Sequence, residues 1–183
     1  VADYLGDPTA RLAGRLTLNP LKHLDWIGSV IFPAMLVLLQ TGFVFGWAKP
    51  VPYNPHNLRG GKWGPAYVAI AGPASNLFIA LVFGGLLRFA AIGAWLSATA
   101  LGLVGIIVWL NIILAIFNLM PVAPLDGSKV LFAVLPYRLR YIEDWLTHHQ
   151  LIVIVVFIFL IANYRVLDFL VSFLFTLFTG GGF

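Results

Sequence analysis

The sequence predicts an all-α polytopic membrane protein that carries one small membrane-associated β element. Hydrophobic residues make up 61% of the 183 residues and charged residues only 10%, whereas a soluble domain averages about 25% charged residues. The mean hydropathy of +0.95 points the same way. The chain has too little charge to cover a water-facing surface, so we expect lipid to be its main solvent.

Apolar stretches of the length that crosses a bilayer recur along the chain. A transmembrane helix takes about 20 apolar residues, and residues 67–87 and 101–119 each supply such a stretch. Residues 151–163 are apolar but shorter, and residues 166–178 form a further apolar stretch that Asp168 interrupts. We therefore predict helices at 67–87, 101–119 and 151–163.

Residues 27–46 are predicted to form a re-entrant hairpin, which enters and leaves the membrane on the same side. The stretch is long enough to cross, but Pro33 lies in its first third, and Gln40, Thr41 and Gly42 follow. Non-helical backbone at membrane depth is tolerated only where protein or a wet cavity covers it. These residues suit a hairpin better than a continuous helix.

The distribution of Lys and Arg also favours the hairpin, because cytoplasmic loops of membrane proteins collect these residues. With a full crossing, the basic residues outside the last helices divide 4 against 6, which is barely a bias. With a hairpin, 9 lie on one side and only Arg88 and Arg165 on the other. The nine are Arg11, Arg15, Lys22, Lys49, Arg59, Lys62, Lys129, Arg138 and Arg140. We predict that this basic side is cytoplasmic.

We interpret residues 1–183 as a single membrane-embedded domain in three parts. Residues 1–26 form a strand and loop on the cytoplasmic side, residues 27–136 form the core, and residues 137–183 form one or more C-terminal membrane helices. The strand is predicted around Leu16, where apolar and polar residues alternate with the period of a β-strand.

Composition excludes several classes of function. The chain contains no cysteine, so disulfides, thiolate nucleophiles and cysteine-based zinc sites are excluded. The formal net charge is only +4, and the sequence has no basic stripe of the kind that binds nucleic acid. We expect the lipid bilayer as a partner and no nucleic acid, while the sequence leaves the oligomeric state open.

The most distinctive segment, Asn118 to Gly127, reads N-L-M-P-V-A-P-L-D-G. Pro121 and Pro124 remove backbone donors and end the preceding helix, and Gly127 permits a tight turn. Asp126 is thus predicted on irregular backbone at membrane depth, where an ionisable residue is a functional candidate and a carboxylate suits a metal such as zinc. An Asp-Gly turn at the end of a helix explains these residues equally well.

A second segment, Gly72 to Asn76, reads G-P-A-S-N within an otherwise apolar stretch. Small residues let membrane helices approach closely, and the Ser75 and Asn76 side chains can hydrogen-bond across a bundle. Helix packing is the simpler interpretation of this segment. The functional alternative is that Gly72 and Asn76 line the site that carries Asp126.

Together these motifs resemble those of the site-2 protease family, the membrane-embedded zinc metallopeptidases. N-L-M-P-V-A-P-L-D-G resembles the family's aspartate signature, and G-P-A-S-N is similar to its Gly-x-x-x-Asn motif. Three further segments look like the short prokaryotic branch that lacks a PDZ or CBS domain: L-G-D-P-T-A-R at 5–11, N-P-L-K-H-L-D at 19–25 and G-W-A-K-P-V-P-Y-N-P at 46–55. The resemblance extends from Val1 to about Pro136.

The resemblance implies a protease that cleaves membrane-spanning segments of other proteins with a zinc-activated water. In the family, two histidines of a His-Glu-x-x-His helix and one aspartate hold the zinc, and the glutamate is the general base. By the motif match, Asp126 is the aspartate ligand and Asn118 helps to stabilise the oxyanion. The strand near Leu16 is similar to a family sheet to which an unwound substrate can add. The other motif positions are expected to line the site or contact substrate: Gly72, Asn76, Pro121, Pro124 and Gly127.

The sequence departs from the family in one respect, because it contains no His-Glu-x-x-His. A catalytic zinc normally has three protein ligands. We therefore expect two further ligands upstream of Val1, and we expect the 183 residues alone to be inactive and to bind zinc weakly at most. Three interpretations stay open: a protease whose first helix is missing from this sequence, a non-catalytic relative that binds membrane segments, and a small transporter or channel lined by Asn76, Asn118 and Asp126.

Overall fold

The structure, a computed structural model, describes residues 1–17, 19–40, 42, 44, 46–93, 96–162 and 166–181. Regular structure in these ranges is entirely helical. The α-helices are α1 (Thr9–Leu12), α2 (Phe32–Leu38), α3 (Trp63–Gly93), α4 (Ala98–Leu119), α5 (Asp126–Val134), α6 (Arg140–His148), α7 (Gln150–Ala162) and α8 (Val166–Thr179). Turns of 3₁₀-helix lie at Pro20–Lys22, Pro55–Asn57 and Tyr137–Leu139, and a wider π-helical segment at Trp26–Ile31.

The chain divides into two compact units, Val1–Gly61 and Lys62–Phe183. Each unit has its own network of contacts and is described by itself below. The single membrane-embedded domain predicted for residues 1–183, with parts at 1–26, 27–136 and 137–183, stays a prediction.

A buried carboxylate, Asp7, organises the first unit. Its side chain is fully buried and accepts hydrogen bonds from the backbone N–H groups of Thr9 (3.2 Å) and Asn54 (2.7 Å). The Thr9 hydroxyl and the Asn57 amide also donate to it. Burial by itself raises the pKa of Asp7, but these hydrogen bonds outweigh it and lower the pKa to about 2. The ionised carboxylate thereby joins the N-terminal segment to the turn at 54–57.

Residues 26–49 of the first unit fold back on themselves. After α2, Gln40 and Gly42 adopt positive φ angles of 50° and 79°, in the region where the chain reverses. On the return, the backbone N–H of Trp47 donates to the carbonyl of Gly28 at 3.0 Å. The chain thus doubles back within the range predicted as a hairpin, whereas its entry into a membrane stays a prediction.

The fold-back closes around Gly28, against which the Trp47 ring packs. A Cβ added at Gly28 would lie 2.4 Å from the Trp47 ring, so only glycine allows this approach. The Ser29 hydroxyl donates to the Trp47 carbonyl at 2.8 Å, and the Phe32 ring lies 5.3 Å from the Trp47 ring, measured between centroids. Three residues of the predicted hairpin lie outside the described part of the chain: Thr41, Phe43 and Phe45.

The β-strand predicted around Leu16 is wrong for the residues that the structure describes. The backbone N–H of Arg15 donates to Ala10 at 2.9 Å and that of Thr17 to Arg15 at 3.0 Å, so these groups are used in local turns. A strand needs a partner to satisfy its backbone groups, and the described chain contains no second strand. Alternation of apolar residues alone was an insufficient signal. Leu18 falls outside the described residues.

The core of the second unit lies between α3, α4 and α8. Its buried members come from all three helices: Ala80, Leu87, Val108, Ile112 and Val171. Close packing of α3 on α8 depends on Gly84, because a Cβ there would lie 2.8 Å from Phe178 Cβ. α3 also packs against α5, which brings the two sequence motifs into one unit.

The long apolar helices were predicted with partly correct bounds. α4 ends at Leu119 as predicted, but α3 begins at Trp63 rather than at residue 67. Pro65 falls in the first turn of α3, where its missing N–H has no intrahelical partner to lose. α3 and α4 are each long and apolar enough to cross a membrane by length and composition.

Two shorter helices, α5 and α6, were not predicted from the sequence. α5 follows the proline-rich turn, and α6 carries apolar side chains one turn apart at Tyr141 and Trp145. Both patterns are helical in retrospect, but each is too short to stand out beside the long apolar stretches. α7 ends at Ala162, and the predicted end of this helix at Asn163 lies outside the described residues, as does Arg165.

Candidate functional site

The segment between α4 and α5 is a tight turn built by hydrogen bonds between near neighbours. The backbone N–H of Val122 donates to Met120, and that of Leu125 to Val122, both at 2.8 Å. Pro121 and Pro124 lie in this turn, as predicted from the sequence. The turn places the start of α5 directly against the end of α4.

Asp126 is the first residue of α5, which corrects the prediction that it lies on irregular backbone. A carboxylate in the first turn is favoured because the N–H groups there have no intrahelical acceptor and the helix dipole is positive. The Asp126 side chain is about one-third exposed, at 33%. Lys129 lies one turn further along α5, and its Nζ donates to Asp126 Oδ1 at 2.8 Å.

Gly127 allows α5 to start so close to α4. It is buried, and a Cβ there would lie 2.1 Å from the Leu119 carbonyl oxygen and 2.4 Å from that of Met120. These contacts are with backbone, so no other residue fits without moving one of the helices. The position of Asp126 is therefore fixed by the residue that follows it.

Gly72 of α3 faces the same carboxylate. A Cβ added at Gly72 would lie 3.7 Å from Asp126 Oδ2, an ordinary contact distance, so the absent side chain leaves that oxygen open on the α3 side. Asn76 is four residues further along α3 and hence on the same helix face. The intervening Pro73 is fully buried within α3, and the Ser75 hydroxyl donates to the Ala71 carbonyl of its own helix at 2.7 Å.

Asn118 lies in the last turn of α4, two residues before Met120. Its Nδ2 donates to the Leu114 carbonyl at 2.8 Å, within the same helix. A carboxamide has two N–H donors and one acceptor oxygen, so this bond leaves one donor and the oxygen for another contact. The role predicted for Asn118 at a substrate carbonyl stays a prediction.

An apolar hollow of about 440 Å³ opens beside the start of α5. It is bounded by Ile70 of α3, Leu119 and Pro121 at the end of α4, and Gly127 and Leu131 of α5. The hollow therefore lies between α3, α4 and α5, the three helices that carry predicted site residues. Its walls offer apolar surface next to the one carboxylate of the motif.

Zinc does not fit the donor atoms of the described residues by themselves. Across residues 1–17, 19–40, 42, 44, 46–93, 96–162 and 166–181, no three His, Asp or Glu side chains converge as a metal site would require. Asp126 brings one carboxylate, and the ammonium group of Lys129 already balances its charge. A catalytic zinc normally takes three protein ligands, so Asp126 could be only one member of a ligand set.

Lys129 is the residue at this site that sequence reasoning missed. Its separation of three residues from Asp126 suits an ion pair on one helix face. That signal becomes readable only when residues 126–134 are recognised as a helix. With the segment interpreted as irregular, the two side chains had no predicted relation.

The Asn118–Gly127 motif lies in a part of the chain that is similar to known proteins. Residues 83–162, which include the whole Asn118–Gly127 segment, match the model of peptidase family M50. A protein of Bacillus subtilis (strain 168) named "Putative zinc metalloprotease YwhC" is 40% identical over 145 residues. The chain belongs to peptidase family M50, the site-2 proteases. The family resemblance seen in the sequence is thereby confirmed.

The M50 relatives are longer than this chain. The alignment with the Bacillus protein covers 76% of this chain and 63% of that protein. A second relative, "Putative zinc metalloprotease Rip2" of Mycolicibacterium smegmatis, is 33% identical over 129 residues, which is 69% of this chain and 46% of the relative. No solved structure matches. The chain thus spans about half to two-thirds of the length of these M50 proteins.

Proposed function

We propose that the protein is an intramembrane zinc metalloprotease of the site-2 type, which cleaves membrane-spanning segments of other proteins, and that Asp126 is one of its metal ligands. The observation that carries the proposal is the setting of the Asp126 carboxylate. It is held at the start of α5 by the close approach at Gly127, and it faces the open position at Gly72. Membership of the M50 family and the names of the relatives supply the reaction class.

The exposed surface of α3 and α4 supports a place in the membrane. Only 22% and 17% of the residues in their most apolar windows are buried within the protein. The core helix of a soluble protein of such composition would be mostly buried, because exposed apolar surface is unfavourable in water. Lipid is the solvent that accommodates both helices.

The remaining metal ligands are proposed to come from sequence outside these 183 residues. A His-Glu-x-x-His helix would supply two histidines, which with Asp126 make the three protein ligands of a catalytic zinc. In the present chain, Lys129 holds Asp126 Oδ1, while Oδ2 faces Gly72. Oδ2 is therefore the oxygen that this chain would present to the metal.

The substrate is proposed to lie beside α5. The apolar hollow of about 440 Å³ next to Gly127 suits an apolar side chain of a membrane-spanning segment. The second N–H of the Asn118 carboxamide can donate to a substrate carbonyl, since Leu114 takes only one. Gly72 and Asn76 would line the opposite wall on α3.

The basic side of the protein is proposed to be cytoplasmic. The chain doubles back between Gly28 and Trp47, and a re-entrant course for this segment would gather 9 of the 11 Lys and Arg residues on one side. Such an excess marks the cytoplasmic face of membrane proteins. The candidate site at the start of α5 would then lie on that face.

The test uses the intact protein isolated from its native membrane and reconstituted into vesicles with a membrane-spanning reporter. Three readouts are taken together: intact mass, zinc per chain and cleavage of the reporter. We expect a mass above 20.1 kDa, upstream peptides with His-Glu-x-x-His, one zinc per chain and cleavage. Asp126→Asn should lose cleavage and most of the zinc, whereas Asp144→Asn, on the exposed face of α6, should keep both.

Each contrary result separates the alternatives. A mass that matches Val1–Phe183, with no zinc and no cleavage, would favour a non-catalytic relative that binds membrane segments. Ion flux across the vesicle membrane without cleavage would favour a transporter or channel. Cleavage that survives in Asp126→Asn would contradict the role assigned to this residue.

A further inference from the structure

A second cavity of the second unit combines positive charge with aromatic walls. It has a volume of about 190 Å³, well above the ~15 Å³ that one water molecule needs. It lies between the start of α3, the length of α5 and the turn that leads into α6. Its lining includes Lys62, Lys129, Phe132, Tyr137, Arg140 and Glu143.

Basic side chains outnumber the acidic ones in the lining of this basic pocket, even when Asp126, the ion-pair partner of Lys129, is included. Lys62, Lys129 and Arg140 bring three positive charges, and Glu143 in the wall and Asp126 beside Lys129 bring two negative ones. In the part of the chain that the structure describes, Lys62 and Arg140 form no ion pair. The pocket therefore has a net positive charge and suits an anion.

The arginine of the pocket is held in place by an aromatic neighbour. Arg140 Nη1 donates to the Tyr137 hydroxyl at 2.9 Å, and its guanidinium lies 4.5 Å from the centroid of the same ring. Lys62 lies 5.8 Å from the centroid of the Trp63 ring. Cation–π contacts of this kind keep the charge of each side chain while restricting its motion, so the donors are partly organised before an anion arrives.

Exposed aromatic rings occur in the pocket wall, at Tyr137, and along the helix α6 that follows it. Tyr137 is 81% exposed, and Tyr141 and Trp145, at successive intervals of four residues, are 66% and 56% exposed. Tyrosine and tryptophan are enriched where a membrane protein passes from lipid to water. Trp63, at the start of the long apolar helix α3, is also 40% exposed. These rings place the pocket at the depth of lipid headgroups, given the membrane placement proposed above.

We propose that the pocket formed by Lys62, Lys129 and Arg140 binds the phosphate of an anionic phospholipid headgroup. The net positive charge of the pocket recognises the phosphate, and the exposed aromatic rings of Tyr137, α6 and the start of α3 set this part of the protein at the level where headgroups lie. This inference rests on the membrane placement of the protein but not on its proteolytic activity. Basic pockets at the membrane surface are a recognised means of binding such headgroups.

Native mass spectrometry of the intact protein in a neutral detergent tests the proposal. Equal amounts of phosphatidylglycerol and phosphatidylcholine are added, and the lipid adducts that survive are counted. We expect phosphatidylglycerol to be retained over phosphatidylcholine. Removal of two charges by Lys62→Gln with Arg140→Gln should lower its retention about tenfold, at roughly 1 kcal/mol or somewhat less per charge.

Two control variants test whether the loss of lipid binding is specific to the pocket. One controls for the loss of positive charge in general, and the other controls for misfolding. Arg138→Gln removes a charge from the same turn without touching the pocket and should retain the lipid. Lys62→Arg with Arg140→Lys keeps both charges and should retain it as well. Equal retention of the two lipids by the wild type would overturn the proposal, as would unchanged retention of phosphatidylglycerol by the glutamine variant.

A final arm distinguishes a lipid from free phosphate. Inorganic phosphate is added in place of lipid, and the midpoint of thermal unfolding is measured. Stabilisation by inorganic phosphate and none by phosphatidylglycerol would overturn the assignment to a lipid. Neither readout involves cleavage. An intact protein from the native membrane that binds phosphatidylglycerol but cleaves no reporter would therefore contradict the protease proposal and leave this one standing.

Discussion

Replacement of Gly127 by alanine tests whether the junction of α4 and α5 fixes the position of Asp126. The added Cβ would lie 2.1 Å from the Leu119 carbonyl oxygen and 2.4 Å from the carbonyl oxygen of Met120. Both are backbone atoms, so no change of rotamer relieves the overlap. Close carbon–oxygen contacts begin at about 3.3 Å, and α5 must therefore move away from α4 by roughly 1 Å.

The loss in free energy of unfolding for Gly127→Ala can be worked from the overlap of its Cβ with backbone atoms. Overpacking in a tight site costs about 1–3 kcal/mol, and contacts with backbone place Gly127→Ala near the upper end. Alanine's better helix propensity returns up to about 1 kcal/mol. The net loss of about 2 kcal/mol corresponds to a fall in Tm of about 4–8 °C for a chain of this size.

Thermal unfolding of the detergent-solubilised protein, followed by circular dichroism, measures the effect. Gly105→Ala in α4 is the matched control, because a Cβ there meets nothing within 4 Å. Its Tm should stay the same or rise slightly, since alanine favours helix. An unchanged Tm for Gly127→Ala, or an equal fall for Gly105→Ala, would refute the steric argument.

Two further predictions concern the first unit. Gly28→Ala should loosen the fold-back of residues 26–49, because its Cβ would overlap the Trp47 ring. Limited proteolysis within this range should then become several-fold faster. An unchanged rate would contradict the packing described. Asp7 has a pKa lowered from 3.8 to about 2 in the folded protein, so its contribution to stability is complete above about pH 4 and is lost as the pH falls toward 2. Urea midpoints should decline over that interval in the wild type and in Asp3→Asn but much less in Asp7→Asn, and identical pH profiles would disprove the assignment.

The long apolar helices and the site motif were the features that sequence could predict. A long apolar run favours a helix, and Pro121 and Pro124 end it, which is why the end of α4 at Leu119 was predicted correctly. The start of α3 at Trp63 was missed because the predicted helix began at residue 67, after Pro65, although proline fits a first helical turn. Family membership followed from the residues around Asp126.

The features that could not be predicted from the sequence were short elements whose structure depends on contacts with another part of the chain. The alternation around Leu16 suggested a strand, but pairing depends on a second strand that the described chain does not supply. Conversely, α5 is a short helix whose start depends on backbone contact with Met120. The pairing of Lys129 with Asp126 follows from that helix, and so it could not be predicted before the helix was known.

The absence of cysteine gives the open position at Gly72 a practical use. A single Gly72→Cys substitution would introduce the one thiol within these 183 residues, which contain no cysteine. It would place that thiol beside Asp126 Oδ2 without a backbone clash. Reagents of graded size and polarity would then report whether water, lipid or a bound segment reaches the carboxylate. The small gap at Gly72 that leaves the Asp126 carboxylate open thus also leaves room for a single reactive sulfur atom beside it.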